Sequence, residues 1–304
     1  MVMATSLINQ IQKHHHKDTV WLTTSPAYIE IFKHNDRLKI MSFDRKYFLN
    51  NLKIVFWIRK MKFDRLYDLQ SNDRTSVICA FSGAKEIIGN HSCYPYKIHP
   101  ADKYTGQCHI YDRMLQVLSA SGINAVHEPP SLPASDNEKK HVIEWLEKHE
   151  LQHGKAVIIH AGASINHPEK CWPHFNGLAK KLVESGYKII WTGSQADKAQ
   201  NTKLAESTGI DASGEFSIVE LAELGRYVAF AVTNDSGPMH ILSASGIPVF
   251  AFFGPTNWRR NHAIDQSENV ICANNDTTEE FTPAPLGWIT VDQAESRIRE
   301  KGLL

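Results

Sequence analysis

The feature that most narrows the fold is a repeated alternation in the second half of the chain. Ala156–His160 is a short apolar run that ends at Ala161, Gly162 and Ala163. A helical stretch follows over 174–185 and stops at Gly186. Residues 188–192 repeat the apolar run, Gly193 and Ser194 break it, and 196–207 return to helix. Ser217 with Glu220 three residues on makes a capping box that opens another helix. Residues 227–233 read as a strand, 238–245 as a helix closed by Gly246, and 247–253 as a strand. Runs that are apolar throughout, rather than every second residue, suit strands buried on both faces. Strands and helices in this alternation predict an α/β fold with right-handed crossovers and a parallel sheet. Ligands then bind beyond the carboxyl ends of the strands.

The first half repeats the style with weaker signals. Residues 19–23, Leu38–Ser42, 66–70 and Glu86–Ile88 read as strands with helical stretches between them. Before them, 3–17 is helical, with Leu7, Ile8 and Ile11 on one face. A chain of 304 residues exceeds one ordinary core. Pro129, Pro130 and Pro133, followed by Ser135, Asp136 and Asn137, mark the linker at 128–137. The expected domains are therefore 1–135 and 136–304.

Lys plus Arg number 33, as do Asp plus Glu, so no net field recommends nucleic acid as a partner. Cys79, Cys93, Cys108, Cys171 and Cys272 are odd in number and contain no Cys-x-x-Cys pair, which argues against a disulfide framework or structural zinc and fits a reducing cytoplasm. No apolar run reaches the roughly 18 residues that span a bilayer. His14, His15 and His16 diverge by about 100° per residue on a helix, so they cannot chelate one ion together.

The chemistry lies in four strand-to-helix loops. In the segment Thr233–His240, Gly237 permits a tight turn and Pro238 suits the first helical position. The unpaired N–H groups of that turn, with Asp235, Ser236 and Gly237, form an anion site, and His240 can donate to a phosphate oxygen. The same residues also read as a helix cap beside a core histidine. In the segment Gly162–Pro173, Lys170 is a point charge for a phosphate and the candidate catalytic group, or else a solvated surface lysine. Ser164 adds a hydroxyl, and Trp172 reads as packing. Gly193, Ser194 and Asp197 offer a carboxylate to ribose hydroxyls, or an acidic residue in a first helical turn. Residues Phe253 to Thr256 are a turn. Together the loops suit a sugar-nucleotide diphosphate. The chain has no Asp-x-Asp spacing, so neither a metal nor any other cofactor is expected, and Lys170 with the helix terminus neutralises the leaving charge.

These segments resemble glycosyltransferase family nine, which contains the lipopolysaccharide heptosyltransferases. The residues that carry the resemblance are Thr233–His240, the run from Ser243 to Pro248, Phe253–Thr256, Lys170-Cys-Trp-Pro173, and Gly193, Ser194 and Asp197. Tyr67–Arg74 and Ala84–Gly89 match more loosely. The resemblance implies a GT-B architecture, two Rossmann-like parallel-sheet domains facing a cleft. It implies an ADP-heptose donor held by the C-terminal domain and a lipid-A-linked saccharide acceptor held by the N-terminal one. The reaction would invert the anomeric centre with a carboxylate base, on the cytoplasmic face of the inner membrane. The family opens with a strand and a Gly-Asp turn whose aspartate resembles that base. Val2 to Ile8 resembles the helix just after that turn, so the natural start is expected upstream of Met1, with Asp73 the substitute base otherwise.

Two further readings use the same features. A sugar-nucleotide epimerase of GT-B type would share the cleft, and a degenerate paralogue would bind nucleotide sugar without turnover. Separately, residues 54–58, flanked by Lys53, Arg59, Lys60 and Lys62, read either as a core helix or as a basic surface for anionic membrane.

Overall fold

The computed structural model describes residues 1–44, 48–102, 104, 106, 108–163, 167–274 and 281–304. The chain forms two compact units, 3–128 with Met1 and 129–304 with Val2. The division falls after Glu128, at the first proline of the expected linker.

Unit 2 is built around a parallel sheet. Its strands are β5 (Ala156–His160), β6 (Lys188–Trp191), β7 (Ile210–Asp211), β8 (Phe230–Asn234), β9 (Val249–Phe253) and β10 (Val270–Cys272). Their order is β10-β9-β8-β5-β6-β7. The chain leaves β5 towards β7, then returns to the other side of β5 through β8. The switch point of this doubly wound sheet therefore lies between β5 and β8, where His160 pairs with Thr233.

Both faces of the sheet are covered, which is why β5 is buried at every position. Val157 and Ile159 pack with α6 (Phe175–Glu184) and α11 (Val291–Arg299). Ala156 and Ile158 pack with α5 (Asp136–Lys148), α8 (Ile218–Gly225) and α9 (Gly237–Ser243). Between β6 and β7 runs α7 (Lys198–Ser207), and α10 (Trp258–Asn261) follows β9. Ser135 with Glu138 and Ser217 with Glu220 form the capping boxes that start α5 and α8.

Several boundaries differ from the sequence expectation for local reasons. The strand expected over 227–233 starts at Phe230, because Arg226, Tyr227 and Val228 close the turn after α8 with N–H donors to Glu223, Leu224 and Gly225 carbonyls. The helix expected over 238–245 ends at Ser243, where Ser243 and Ser245 hydroxyls take carbonyls at His240 and Leu242.

In unit 1, α1 (Thr5–His14) is preceded by a short 3-10 turn (Val2–Ala4). It is shorter than the expected 3–17. Its burial is not one apolar stripe, since Thr5, Ser6, Gln10 and Gln12 are buried with Leu7, Ile8 and Ile11. Gln10 satisfies its amide on both Val126 backbone groups. The strands β1 (Val20–Thr24) and β2 (Leu38–Ser42) pair in parallel, as do β3 (Arg65–Tyr67) and β4 (Glu86–Ile88). Helices α2 (Phe48–Met61), α3 (Asp73–Ala80) and α4 (Ile110–Ala120) complete the unit. The strand expected over 66–70 stops at Tyr67. There the buried Asp68 carboxylate accepts the N–H groups of Gln70 and Ser71 at 3.1 and 2.9 Å and turns the chain. Asp73, the substitute base, is exposed in the first turn of α3.

Candidate functional site

The switch point between β5 and β8 collects the sequence-selected loops of unit 2. Asn234, the last residue of β8, is fully buried. Its side-chain oxygen accepts the N–H of Trp172 at 3.0 Å, and its amide nitrogen donates to the carbonyls of Ala161 and Gly162, both at 3.0 Å. One side chain thus ties both ends of the loop after β5 to the adjacent strand. Trp172 adds a second anchor. It is 2% exposed, stacks on Phe252 at 4.0 Å between ring centroids, and donates its indole N–H to the Ile289 carbonyl. Trp172 is packing, as its sequence context suggested.

The tied loop delivers Lys170. Its ammonium meets Asp235 Oδ2 at 2.6 Å, and Thr256 donates its hydroxyl to the same oxygen at 2.7 Å. Three of the four loops, the turn after β9 among them, therefore converge on one carboxylate. Asp235 is 9% exposed and Lys170 keeps 22% of its side chain open. Asp235 is thus placed to hold Lys170 rather than to face an anion itself, because its charge is already matched. Ser236 and Gly237 begin α9, which has only seven residues. A helix of under two turns contributes a small dipole, so Lys170 is the principal positive charge here.

Beside this constellation lies a cavity of about 340 Å³. Gly193, Ser194, Asp197, Ser236 and Gly237 contribute to its lining, and the first three come from the loop after β6. Asp197 Oδ2 caps that turn, accepting the N–H and hydroxyl of Ser194, both at 2.7 Å. Its other oxygen presses on Gly162, where a Cβ would lie 2.5 Å away. The helix-turn reading of Asp197 therefore holds, and the residue also borders the cavity. His240 sits on the first turn of α9 and is not part of the lining. Ser164 lies outside the described residues.

The opposite wall was not legible in the sequence. Phe216, Ile218, Leu221 and Ile241 form an apolar side, with Ser217 between them. Apolar residues on helices carry the same signal whether they face a core or a cavity. Only the capping box at Ser217 marked this turn.

His160 also borders the cavity, and burial pushes its pKa below the usual 6.5 against an opposing pull from Asp197. The native state therefore binds fewer protons at this residue than the unfolded chain. Its contribution is complete above about pH 6.5 and is lost as pH falls below it. Denaturation midpoints measured from pH 8 down to pH 5 should fall on the acid side in the parent (about one site's worth). In His160→Gln that component should vanish. Parallel acid limbs in the two proteins would refute it. Among the described residues no group of three or more His, Cys, Asp or Glu is placed to hold a metal ion.

The comparison with known families decides the membership. The family model described as glycosyltransferase family 9 (heptosyltransferase) matches residues 52–285, well over half the chain. The chain belongs to glycosyltransferase family 9. Lipopolysaccharide heptosyltransferase 2 of Escherichia coli K12 is 23% identical over 225 residues, 67% of this chain. That alignment spans 64% of the relative's own length, a little under two thirds. A family 9 glycosyl transferase from Veillonella parvula superposes with a TM-score of 0.80 at 20% identity, covering 98% of this chain and 92% of the other. The E. coli ADP-heptose lipopolysaccharide heptosyltransferase II gives 0.71 at 18% identity, covering 99% and 96%. At these identities the superpositions establish the fold, and they run through both units of this family 9 chain.

Proposed function

We propose that this family 9 protein transfers a heptose from an ADP-activated donor to a lipid-linked lipopolysaccharide-core saccharide, with inversion and without a metal. The observation that carries the reading is the Lys170–Asp235–Thr256 constellation beside a cavity at the sheet's switch point. A cavity of about 340 Å³ falls within the range for small-molecule sites. Its apolar wall suits a flat base, and the Ser194–Asp197 turn suits a ribose. Lys170 then meets the diphosphate and stabilises the negative charge that grows on the leaving group. Residues 129–304 take the donor and residues 3–128 the acceptor. The choice of ADP and heptose follows the names of the relatives.

Two results test it. Calorimetric titration should give ADP a tighter Kd than UDP or GDP, and equal affinities would remove the donor assignment. Turnover should persist in excess chelator, because a lysine can supply the positive charge that a bridging cation supplies elsewhere. Loss of turnover restored by magnesium would overturn that part.

A further inference from the structure

We propose that α2, α3 and Tyr94 form an interfacial surface that rests on anionic phospholipid. The contact stands on the geometry of unit 1 alone. Only its purpose, bringing the enzyme to its acceptor, rests on the function proposed above.

The sequence points at 54–58, and the structure divides that segment between core and solvent. Ile54 and Ile58 are 2% and 5% exposed and belong to the core. Leu52 and Phe56 point out, at 44% and 70%. On α3 the same split occurs, with Cys79 buried and Val77 and Phe81 at 57% and 61%. Tyr94 is 80% exposed. These residues are neighbours. The helices pack together, the Arg59 guanidinium donates to the Phe81 carbonyl at 3.3 Å, and the Tyr94 hydroxyl donates to the Ala80 carbonyl at 3.4 Å. Scattered exposed apolar side chains need no explanation, whereas a cluster of three aromatics marks a contact surface.

Charge selects the occupant. Lys53, Arg59, Lys60 and Lys62 are exposed on or just after α2, and Arg74 is exposed on α3. The nearby Asp64 is matched by Lys85 at 2.7 Å, leaving Asp73 as the exposed carboxylate on these helices among the described residues. Aromatic rings with cations on the same face are the pattern of a surface seated at lipid headgroups. No helix among the described residues is long and apolar enough to cross a membrane, so the contact is superficial.

The test is co-sedimentation of the purified protein with phosphatidylcholine vesicles and with vesicles containing about one-third phosphatidylglycerol. The parent should pellet with the anionic vesicles, and salt should weaken the binding. Neutralising Lys53→Gln with Lys60→Gln should weaken it about 25-fold, from roughly fivefold per cation. Phe56→Ser with Phe81→Ser should weaken it at least about tenfold. Both pairs are exposed, so the thermal midpoint should hold. Equal pelleting with neutral and anionic vesicles would overturn the proposal, as would unchanged binding by the Phe pair. So would self-association of the parent that the Phe pair abolishes without any vesicle binding, since that identifies a protein contact. Transfer to a delipidated soluble acceptor should be the same in parent and variants. If the parent lacks that transfer yet binds vesicles as described, the proposed function falls and the surface stands.

Discussion

Lys170→Ala is expected to cost activity and stability at once, by separable routes. The variant loses the charge-assisted contact proposed for the donor diphosphate, worth about 1.5–3 kcal/mol, or roughly ten- to a hundredfold in kcat/KM. It also leaves Asp235, at 9% exposure, with Thr256 and without its cation. Removing one partner of a fully buried pair costs about 3–5 kcal/mol. Lys170 remains 22% open to water, which screens the pair, so about 1–3 kcal/mol is the better expectation. Adding Asp235→Asn to Lys170→Ala removes the unmatched charge. The double variant should recover most of the lost stability and none of the lost turnover. Lys170→Arg keeps the charge but replaces a compact ammonium by a planar fork, so partial activity is expected. Unchanged donor affinity and turnover in Lys170→Ala would remove Lys170 from the mechanism. Recovery of turnover in the double variant would show that Lys170 acts only by holding Asp235.

Asn234→Ala is expected to give the larger loss of stability. Its three hydrogen bonds end on the Trp172 N–H and the carbonyls of Ala161 and Gly162. Ala161 and Trp172 are 1% and 2% exposed, so water does not replace the lost partners. At about 1–3 kcal/mol for each of the three groups, the sum is about 3–9 kcal/mol. That is a large share of a typical stability of about 5–15 kcal/mol. Asn234→Ser is too short to span the same partners and should fare little better. Activity should fall further than unfolding explains, because the freed loop carries Lys170. Urea denaturation measures the first effect, and kcat/KM at a temperature where the variant is folded measures the second. A loss below about 1 kcal/mol would show that Asn234 is not the strut described here.

The legible parts of this protein are those where one physical demand dominates. β5 and β9 lie inside the sheet with both faces covered, so Ala156–Ile159 and Val249–Phe253 are apolar throughout and read as buried strands. β7, with two residues, and β10, with three, are the edge strands of the sheet, and neither is legible in the sequence. Capping boxes at Ser217 and the turn at Gly193 were visible because they use side chains that few other settings require. Partnerships across the chain were not visible. Asp235 looked like an anion-site residue from its neighbours, and the structure gives it to Lys170, 65 positions away. The apolar wall at Phe216 and Ile241, and the division of α2 into a covered Ile54 side and an open Phe56 side, depend on what lies opposite. A period marks a face without saying what covers it.

The most direct measurement of the account is the mass of the acceptor after incubation with ADP-heptose. The acceptor should become heavier by one heptose, with one ADP released per transfer and the product linkage inverted at the anomeric carbon. Lys170→Ala should slow this reaction about ten- to a hundredfold. Free sugar and ADP with no change in acceptor mass would favour an epimerase or hydrolase. Tight ADP binding with no chemistry at all would identify a protein that only binds nucleotide sugar. Either outcome would contradict the assignment as a transferase.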